Sequence, residues 1–384
     1  MTEAVSSAFE GIPPKAAADE AADKVGSPAG QALPEVRALS PEEIRQALSD
    51  MGEKAFRGSQ VFRWLQKRAA ESYEEMTDLP EPLRRKLAEK LPIERPALLR
   101  LQKSSDGTRK FLFGLAGGAN VETVLMNHRE SSGHIRHTLC ISSQAGCAMG
   151  CVFCATGLGG FCRNLTCGEI VGQVLEVAGL LCREDPEFTV DNLVYMGMGE
   201  PMLNLDNVLK SIRLLNHPDG QKIGIRRITL STCGLPQGIR RLAAENPDVT
   251  LAVSLHSPTD RLRDRLMPIN KKYPIREVLS ACRDYCRSGG GRITFEYIMI
   301  QGINIGSAEA EALCVLLRGL PCHVNLIPVN DGPHGFGKPG RQAQEEFRRR
   351  LSAGGLEASI REEKGADISG ACGQLAGQAK NQGV

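Results

Sequence analysis

From residue 138 onward, short apolar runs alternate with longer stretches whose apolar positions recur at helical spacing. The runs fall at 138–142, 192–196, 225–231, 249–255, 292–299, 322–327 and 356–361. Between them, Ile170, Val174, Ala178 and Leu181 follow the capping-box sequence Thr166-Cys167-Gly168-Glu169, and Ile275, Val278, Leu279 and Cys282 follow Pro274. Apolar, β-branched strands that alternate with helices predict a parallel sheet covered on both faces. About six such units predict an α/β fold, an open or partial (β/α)6 barrel over residues 131–384.

Upstream the rhythm differs. Residues 96–130 alternate apolar and polar positions, in Ala97-Leu98-Leu99-Arg100-Leu101, Lys110-Phe111-Leu112-Phe113 and Asn120-Val121-Glu122-Thr123-Val124-Leu125, with breaks at Asp106-Gly107 and Gly117-Gly118. This pattern predicts a small antiparallel sheet that bridges the barrel to what precedes it. Residues 37–95 carry three helical patterns: Ile44 and Leu48 after Ser40-Pro41-Glu42-Glu43, Val61, Phe62 and Leu65 around Trp64, and Leu83, Leu87 and Leu91 after Pro82. So few apolar positions make a small N-terminal helical accessory domain that must lean on the rest. Residues 1–36, rich in Ala, Gly, Ser and Pro without a sustained apolar period, read as a disordered leader.

Composition narrows the function classes. The 384 residues are 41% hydrophobic, enough for a proper core, and contain 13 cysteines. An odd cysteine count, a start without a secretory apolar region and no Arg before Arg37 predict a cytoplasmic protein with reduced thiols. No apolar run approaches ~18 residues, so no membrane span is expected. The formal net charge of +2 says little. Its distribution says more: Arg226-Arg227, Arg240-Arg241, Arg261-Leu262-Arg263-Asp264-Arg265, Lys271-Lys272 and Arg348-Arg349-Arg350 are local basic runs, and Arg57, Arg63, Lys67 and Arg68 give the middle accessory helix a basic face. Such runs track phosphates or form solvated helix faces.

The candidate chemistry centres on Cys147-Ala148-Met149-Gly150-Cys151-Val152-Phe153-Cys154, a C-x3-C-x2-C triplet in the loop after the first barrel strand. A protein-held iron-sulfur cluster normally takes four thiolates, so three leave one iron open. An open iron can hold a small molecule by amine and carboxylate groups, the way S-adenosylmethionine (SAM) is held for radical chemistry. Phe153 would offer its face to the bound nucleoside. A C-x2-C pair is also half of a zinc site, and unliganded thiols are a third reading. Barrel sites collect where strands end. Gly197-Met198-Gly199-Glu200-Pro201, Ser231-Thr232, Ser254-Leu255-His256 and Asn330 all fall there, together with the triplet. Each alone reads equally well as a turn, a capping Ser or a satisfied His; five at one rim point to a site.

These residues carry a resemblance. The triplet, with Phe before its last Cys, resembles the radical SAM superfamily. Leu139-Cys140-Ile141-Ser142-Ser143-Gln144-Ala145-Gly146-Cys147, Met196-Gly197-Met198-Gly199-Glu200-Pro201, Leu230-Ser231-Thr232, Ala252-Val253-Ser254-Leu255-His256, Asn325-Leu326-Ile327-Pro328 and Asp367-Ile368-Ser369-Gly370-Ala371-Cys372-Gly373-Gln374-Leu375 together resemble the dual-specificity adenine-C2 RNA methyltransferase family, over about residues 40–375. Two stretches depart from that pattern: 127–137 is longer than usual, and 329–335 lacks the usual Pro-Phe-Asn form.

The resemblance implies a radical SAM barrel in which Cys147, Cys151 and Cys154 hold a [4Fe-4S] cluster. It implies that Gly199, Glu200, Ser231, Ser254, Leu255, His256 and Asn330 contact SAM, two molecules of which are used per turnover. Cys372 would be methylated, Cys140 would resolve the protein–RNA adduct with formation of a disulfide, and Glu122 matches the proposed proton acceptor. The implied partners are 23S ribosomal RNA, transfer RNA and an electron donor such as a flavodoxin or ferredoxin, with the chain a monomer. Adenine C2 is electron-poor, so polar methyl transfer to it should fail, which gives the radical route its purpose. Glycines 365, 370 and 373 would let the Cys372 backbone move. In a strand, Cys140 points opposite Leu139 and Ile141. Two alternatives stay open: an adenine-C8 methyltransferase using the same cysteines, and a zinc-stabilised RNA-binding protein without chemistry.

Overall fold

The computed structural model describes residues 35–245, 248–330 and 335–377. The leader reading therefore lies almost wholly outside the described residues, as does the 331–334 part of the divergent 329–335 stretch. The first helix, α1 (Pro41–Asp50), begins with the expected capping box: Ser40 Oγ accepts from the Glu43 amide at 3.2 Å, and Glu43 accepts from the Ser40 amide at 2.7 Å. Helix α2 (Gly58–Phe62) runs on as a π-helical turn over Arg63–Lys67, burying Val61, Phe62 and Leu65. Gly58 is needed there because a Cβ would sit 2.6 Å from the Arg45 side chain. Helix α3 (Glu81–Lys90) buries Leu83 and Leu87.

Strands β1 (Ala97–Lys103), β2 (Arg109–Gly114), β3 (Asn120–Arg129) and β4 (Ile135–Cys140) form an antiparallel run. The short pair β5 (Gln144–Gly146) and β6 (Phe161–Asn164) brackets helix α4 (Ala155–Gly159). Then come α5 (Cys167–Glu184), β7 (Asn192–Tyr195), α6 (Leu205–Asn216), β8 (Ile228–Thr232), α7 (Pro236–Glu245) and β9 (Thr250–Ser254). The chain continues through α8 (Asp260–Leu266), α9 (Ile275–Tyr285), β10 (Ile293–Met299), α10 (Ser307–Leu317), β11 (Cys322–Pro328), α11 (Arg341–Ala353) and β12 (Ala358–Ile360).

Ten of these strands make one sheet in the order β1-β2-β3-β4-β7-β8-β9-β10-β11-β12, parallel from β4 onward. The antiparallel strands thus run into the parallel ones without a break, through the register Val124↔Cys140 to Arg129↔Ile135. Residues 127–137, the stretch expected to be longer than usual, form the outer part of this β3–β4 hairpin, closed by the Glu130 amide on the His134 carbonyl at 2.8 Å. Residues Ile225–Arg227, expected as the start of a strand, form a 3-10 turn, and β8 begins at Ile228.

The accessory helices are fastened to the barrel by buried polar contacts. Arg37, only 1% exposed, donates to Glu176 of α5 at 2.7 Å and to the Ala70 carbonyl at 3.1 Å. Glu35 accepts from the Thr166 hydroxyl and from the Gly168 amide at the N-terminus of α5, where a carboxylate complements the helix dipole. No helix among the described residues is long and apolar enough to cross a membrane. The barrel core is filled by fully buried residues on adjacent strands, among them Leu230, Val253, Phe295 and Leu326. Replacing Phe295 with Ala should cost ~3–5 kcal/mol of stability, read as a lower urea midpoint, because the closed sheet–helix sandwich cannot collapse into the cavity.

Candidate active site

The triplet loop is held in place by backbone contacts and by two amide side chains. Gly146 has φ +74°, and a Cβ there would sit 2.0 Å from the Gly160 carbonyl oxygen, so only glycine fits. That same carbonyl accepts from the Cys147 amide at 2.8 Å, and the Cys151 carbonyl accepts from the Cys154 amide at 3.1 Å. The fully buried Gln173 of α5 accepts from the Ser142 amide and the Thr123 hydroxyl, both at 2.9 Å, and returns a bond to the Ser142 carbonyl at 2.9 Å. Ser142 Oγ donates to the Glu122 carbonyl at 2.7 Å and accepts from the Met198 amide at 2.9 Å. Gln144 accepts from the Glu200 amide at 2.8 Å. One buried circuit therefore ties β3, the end of β4, α5 and the loop after β7 together.

Cys147, Cys151 and Cys154 line a cavity at the carboxyl ends of the parallel strands. Of the other residues expected there, Gly199, Glu200, Ser231, Ser254, His256 and Asn330 line the same cavity. Leu255 does not. It is fully buried behind the wall, its amide on the Glu296 carbonyl at 3.0 Å and its carbonyl accepting from Arg263 at 3.1 Å. Two glycines admit close approach at the rim: a Cβ on Gly197 would meet the Ile141 carbonyl oxygen at 2.7 Å, and one on Gly199 would meet Gln144 at 2.5 Å. Phe153 meets His256 edge to face at 4.8 Å between ring centroids.

Burial dominates the electrostatics. It pushes the Cys147 thiol well up and raises Cys154, so both favour the neutral thiol unless positive charge or metal is supplied. Glu200 is raised too, by burial, although its carboxylate accepts from the Cys233 amide at 2.6 Å and the Met202 amide at 3.0 Å. Its carboxylate braces the rim. His256, in the left-handed region at φ +59°, accepts from the Ile298 amide through Nδ1 at 3.0 Å. Burial, with the Arg263 charge adding to it, lowers its pKa to about 3.

A second cavity adjoins the first and shares Cys154, Asn330, Arg361 and Cys372 with it. Cys140 and Cys372 both line it, although 232 residues separate them in sequence (372 − 140). Cys372 is exposed on the loop after β12, whereas Cys140 is buried, its thiol pushed up to about 12 by burial and then by the neighbouring Cys372. Asn330 donates to the Cys372 carbonyl at 2.9 Å, while its own buried Oδ1 has no partner among the described residues. Glu122, 4% exposed, is paired with Lys110 at 3.0 Å and accepts from the Ala376 and Gly377 amides at 2.7 and 3.0 Å.

Three residues absent from the sequence reading belong to this site. Arg361, just past β12, lines both cavities, and its pKa is raised chiefly by the Cys372 charge. Glu296, in the middle of β10 and bonded by Asn325 at 2.8 Å, faces the Arg361 guanidinium, and burial raises its pKa. Cys233 lines the first cavity, its sulfur 4.0 Å from that of Cys151. Placement just past a strand was the one available signal for Arg361 and Cys233, and Glu296, inside its strand, carried none.

The donor set suits a [4Fe-4S] cluster with SAM. Three thiols open onto one cavity, and Asn330 leaves a buried acceptor there for a ligand amine. Among the described residues, no three His, Cys, Asp or Glu side chains are gathered to hold a single metal ion, unlike the closed four-ligand set of a structural zinc site.

The depressed His256 pKa sets a pH dependence. The unfolded chain takes up this proton below about 6.5, whereas the folded chain resists it until about pH 3. Stability relative to a His256→Asn variant, which retains an acceptor near the Nδ1 position, should therefore fall progressively from pH 6.5 toward pH 4. Urea titrations of the two proteins at several pH values check this, and a constant difference would contradict a neutral buried imidazole.

Comparison with known proteins agrees with this geometry. Residues 141–313 match the radical SAM superfamily model, and residues 35–93 match the ribosomal RNA large subunit methyltransferase N-terminal domain. A probable dual-specificity RNA methyltransferase RlmN from Desulfitobacterium hafniense is 49% identical, covering 88% of this chain and 95% of the relative. The protein of the same name from Thermotoga maritima is 46% identical, covering 88% and 96%. A crystal structure of a radical SAM methyltransferase from Sphaerobacter thermophilus superposes with a TM-score of 0.84 at 45% identity, over 89% of this chain and 99% of that one. With the paired cavities, the triplet and relatives this similar over nearly their whole length, the chain belongs to the RlmN family of radical SAM RNA methyltransferases.

Proposed function

We propose that this enzyme methylates C2 of an adenine in 23S ribosomal RNA and in transfer RNA through an S-methylated Cys372. The observation that carries the reading is the placement of Cys140 and Cys372 on the walls of one cavity that opens into the cysteine-triplet cavity. Cys147, Cys151 and Cys154 would hold the [4Fe-4S] cluster. Gly199, Ser231, Ser254, His256 and Asn330 are in position to contact SAM, and Glu200 is in position to shape the rim. The bound cluster would supply the electron that cleaves SAM to a 5'-deoxyadenosyl radical.

The chain's own residues do the rest. Cys372, beside the Arg361 guanidinium, takes a methyl group from a first SAM by nucleophilic displacement, a reaction of the thiolate. Radical chemistry on a second SAM would remove hydrogen from this S-methyl group of Cys372, and the resulting carbon radical would add to C2. The covalent adduct would then lose the C2 proton and return one electron to the cluster held by Cys147, Cys151 and Cys154. Cys140 attacks the Cys372 sulfur, the departing carbon gains a proton to become the new methyl group, and a disulfide remains, to be reduced before the next turnover. Glu122 is the proposed acceptor of the C2 proton. The buried Cys140 thiol resists ionisation, so it delivers its sulfur only once the adduct is in place.

A base must leave its stack to reach these cavities, so the substrate is a loop or splayed segment. Exposed Arg63, Lys67 and Arg68 on the accessory domain, with exposed Phe56 nearby in the chain, suit a phosphate-and-base contact surface. A flavodoxin or ferredoxin as electron donor, cytoplasmic location and action as a monomer complete the proposal.

Replacing Cys140 with Ala should trap a protein–RNA adduct, seen as a species that comigrates with RNA and dissolves on nuclease treatment. An active cluster with no adduct would remove Cys140 from the resolving role. Mass spectrometry of the modified nucleoside decides between C2 and C8, and 8-methyladenosine would overturn the C2 assignment. RNA affinity should fall by about tenfold or more between 50 and 200 mM salt, since several cations neutralise phosphates. A flat titration would contradict the phosphate surface.

A further inference from the structure

The Lys110–Glu122 ion pair does something that neither the cluster site nor the cysteine chemistry requires of it. Both side chains are nearly buried, at 8% and 6% exposure, and lie 3.0 Å apart on the adjacent strands β2 and β3. A buried ion pair is tolerated only when its remaining donors and acceptors are also satisfied. Here they are satisfied by one segment, the loop that carries Cys372. Lys110 Nζ donates to the Ser369 carbonyl at 3.1 Å, on one side of Cys372. Glu122 Oε2 accepts from the Ala376 and Gly377 amides at 2.7 and 3.0 Å, on the other side. The two charges thus grip the loop at both ends.

Between these grips the loop is held by neutral bonds: Asn330 to the Cys372 carbonyl at 2.9 Å, the Ala155 amide to the Gly373 carbonyl at 2.7 Å, and the Thr156 hydroxyl to the Leu375 carbonyl at 2.5 Å. Upstream, the Asp106 carboxylate accepts from the Gly365 amide at 2.9 Å and anchors the base of the segment. Ser369 at φ +52° and Gly373 at φ +83° mark the points where the backbone turns. Charge-assisted bonds are roughly twice as strong as neutral ones. If the loop left, the pair would keep its mutual contact but exchange its charge-assisted bonds to the loop for water, so the pair favours the closed loop by the net of that exchange.

We propose that Lys110 and Glu122 form a charged latch that closes the Cys372 loop over its cavity, with Lys110 acting as a positioning residue for Cys372. While the latch is closed, Glu122 Oε1 is held by Lys110 and Oε2 by the two amides, so the pair and the loop hold one another in place. The importance given to Cys372 rests on the proposed function, whereas the latch itself is a statement about the loop.

Hydrogen–deuterium exchange on the full-length, cluster-loaded protein tests it. Replacing Lys110 with Met should accelerate exchange of the Ala376 and Gly377 amides at least tenfold and speed the reaction of Cys372 with a bulky maleimide; Lys110→Arg should restore both. Wild-type exchange at these amides in Lys110→Met would overturn the latch. Amides of α5 serve as the folding control. If they also exchange faster, Glu122→Gln carries the test, because it keeps the shape and removes the charge: faster exchange at 376–377 is expected, and unchanged exchange overturns the proposal. Failure of the functional reading is seen separately, as wild-type protein that gains no methyl group on Cys372 when given SAM, whatever the exchange shows.

Discussion

Everything in the site depends on how Gln173 and Ser142 satisfy each other. Ser142 sits where the chain leaves the sheet, so its amide and carbonyl have lost their strand partners in a place that water does not reach. The Gln173 side-chain amide replaces both, and the Ser142 hydroxyl passes the connection on to the Glu122 carbonyl and the Met198 amide. Unpaired backbone groups at this depth would be costly. The same few bonds that remove this cost also set the positions of the triplet loop, the glycine-rich rim and the strand that carries Glu122. A change at Gln173 would be felt as a displaced site before it was felt as an unstable fold.

Buried charge is distributed on the same logic. Arg263 is fully buried, yet it donates to the Leu255, Cys233 and Ser254 carbonyls and to Asn270, at 3.1, 2.7, 2.9 and 2.7 Å. These carbonyls belong to loops that follow β8 and β9, so one guanidinium stitches two successive rim loops together. Arg37 does the corresponding work between the accessory helices and α5. Guanidinium suits both positions because its donors fan out in a fixed plane and its charge persists at any accessible pH.

The architecture was legible in the sequence wherever an element was long enough to show a period. The alternating strands, the capped helices of the accessory domain and the triplet loop all announced themselves by spacing. The β5–β6 pair was not legible, since its strands span only three and four residues on either side of the cysteine motif. Arg361, Glu296 and Cys233 escaped for another reason: a single polar residue in or just past a strand has no period of its own, and its role appears only when residues from distant strands meet. Leu255 shows the reverse problem, a residue inside a motif whose side chain faces away from the cavity. Glu122 was marked for proton transfer by its motif, but its hold on residues some 250 positions later could not be read from local pattern.

The β3–β4 hairpin takes up residues 127–137, the stretch expected to depart from the family pattern. Its rungs run from Val124↔Cys140 outward to Arg129↔Ile135, so the tip lies roughly 17 Å from Cys140 at the usual rise per strand residue. Residues added at the tip lengthen the ladder without sliding it, since a slip of even one position would turn Cys140 away from its cavity. The hairpin is therefore a length buffer: a place where a label or a further loop could be accommodated while the distance between Cys140 and Cys372 is left alone.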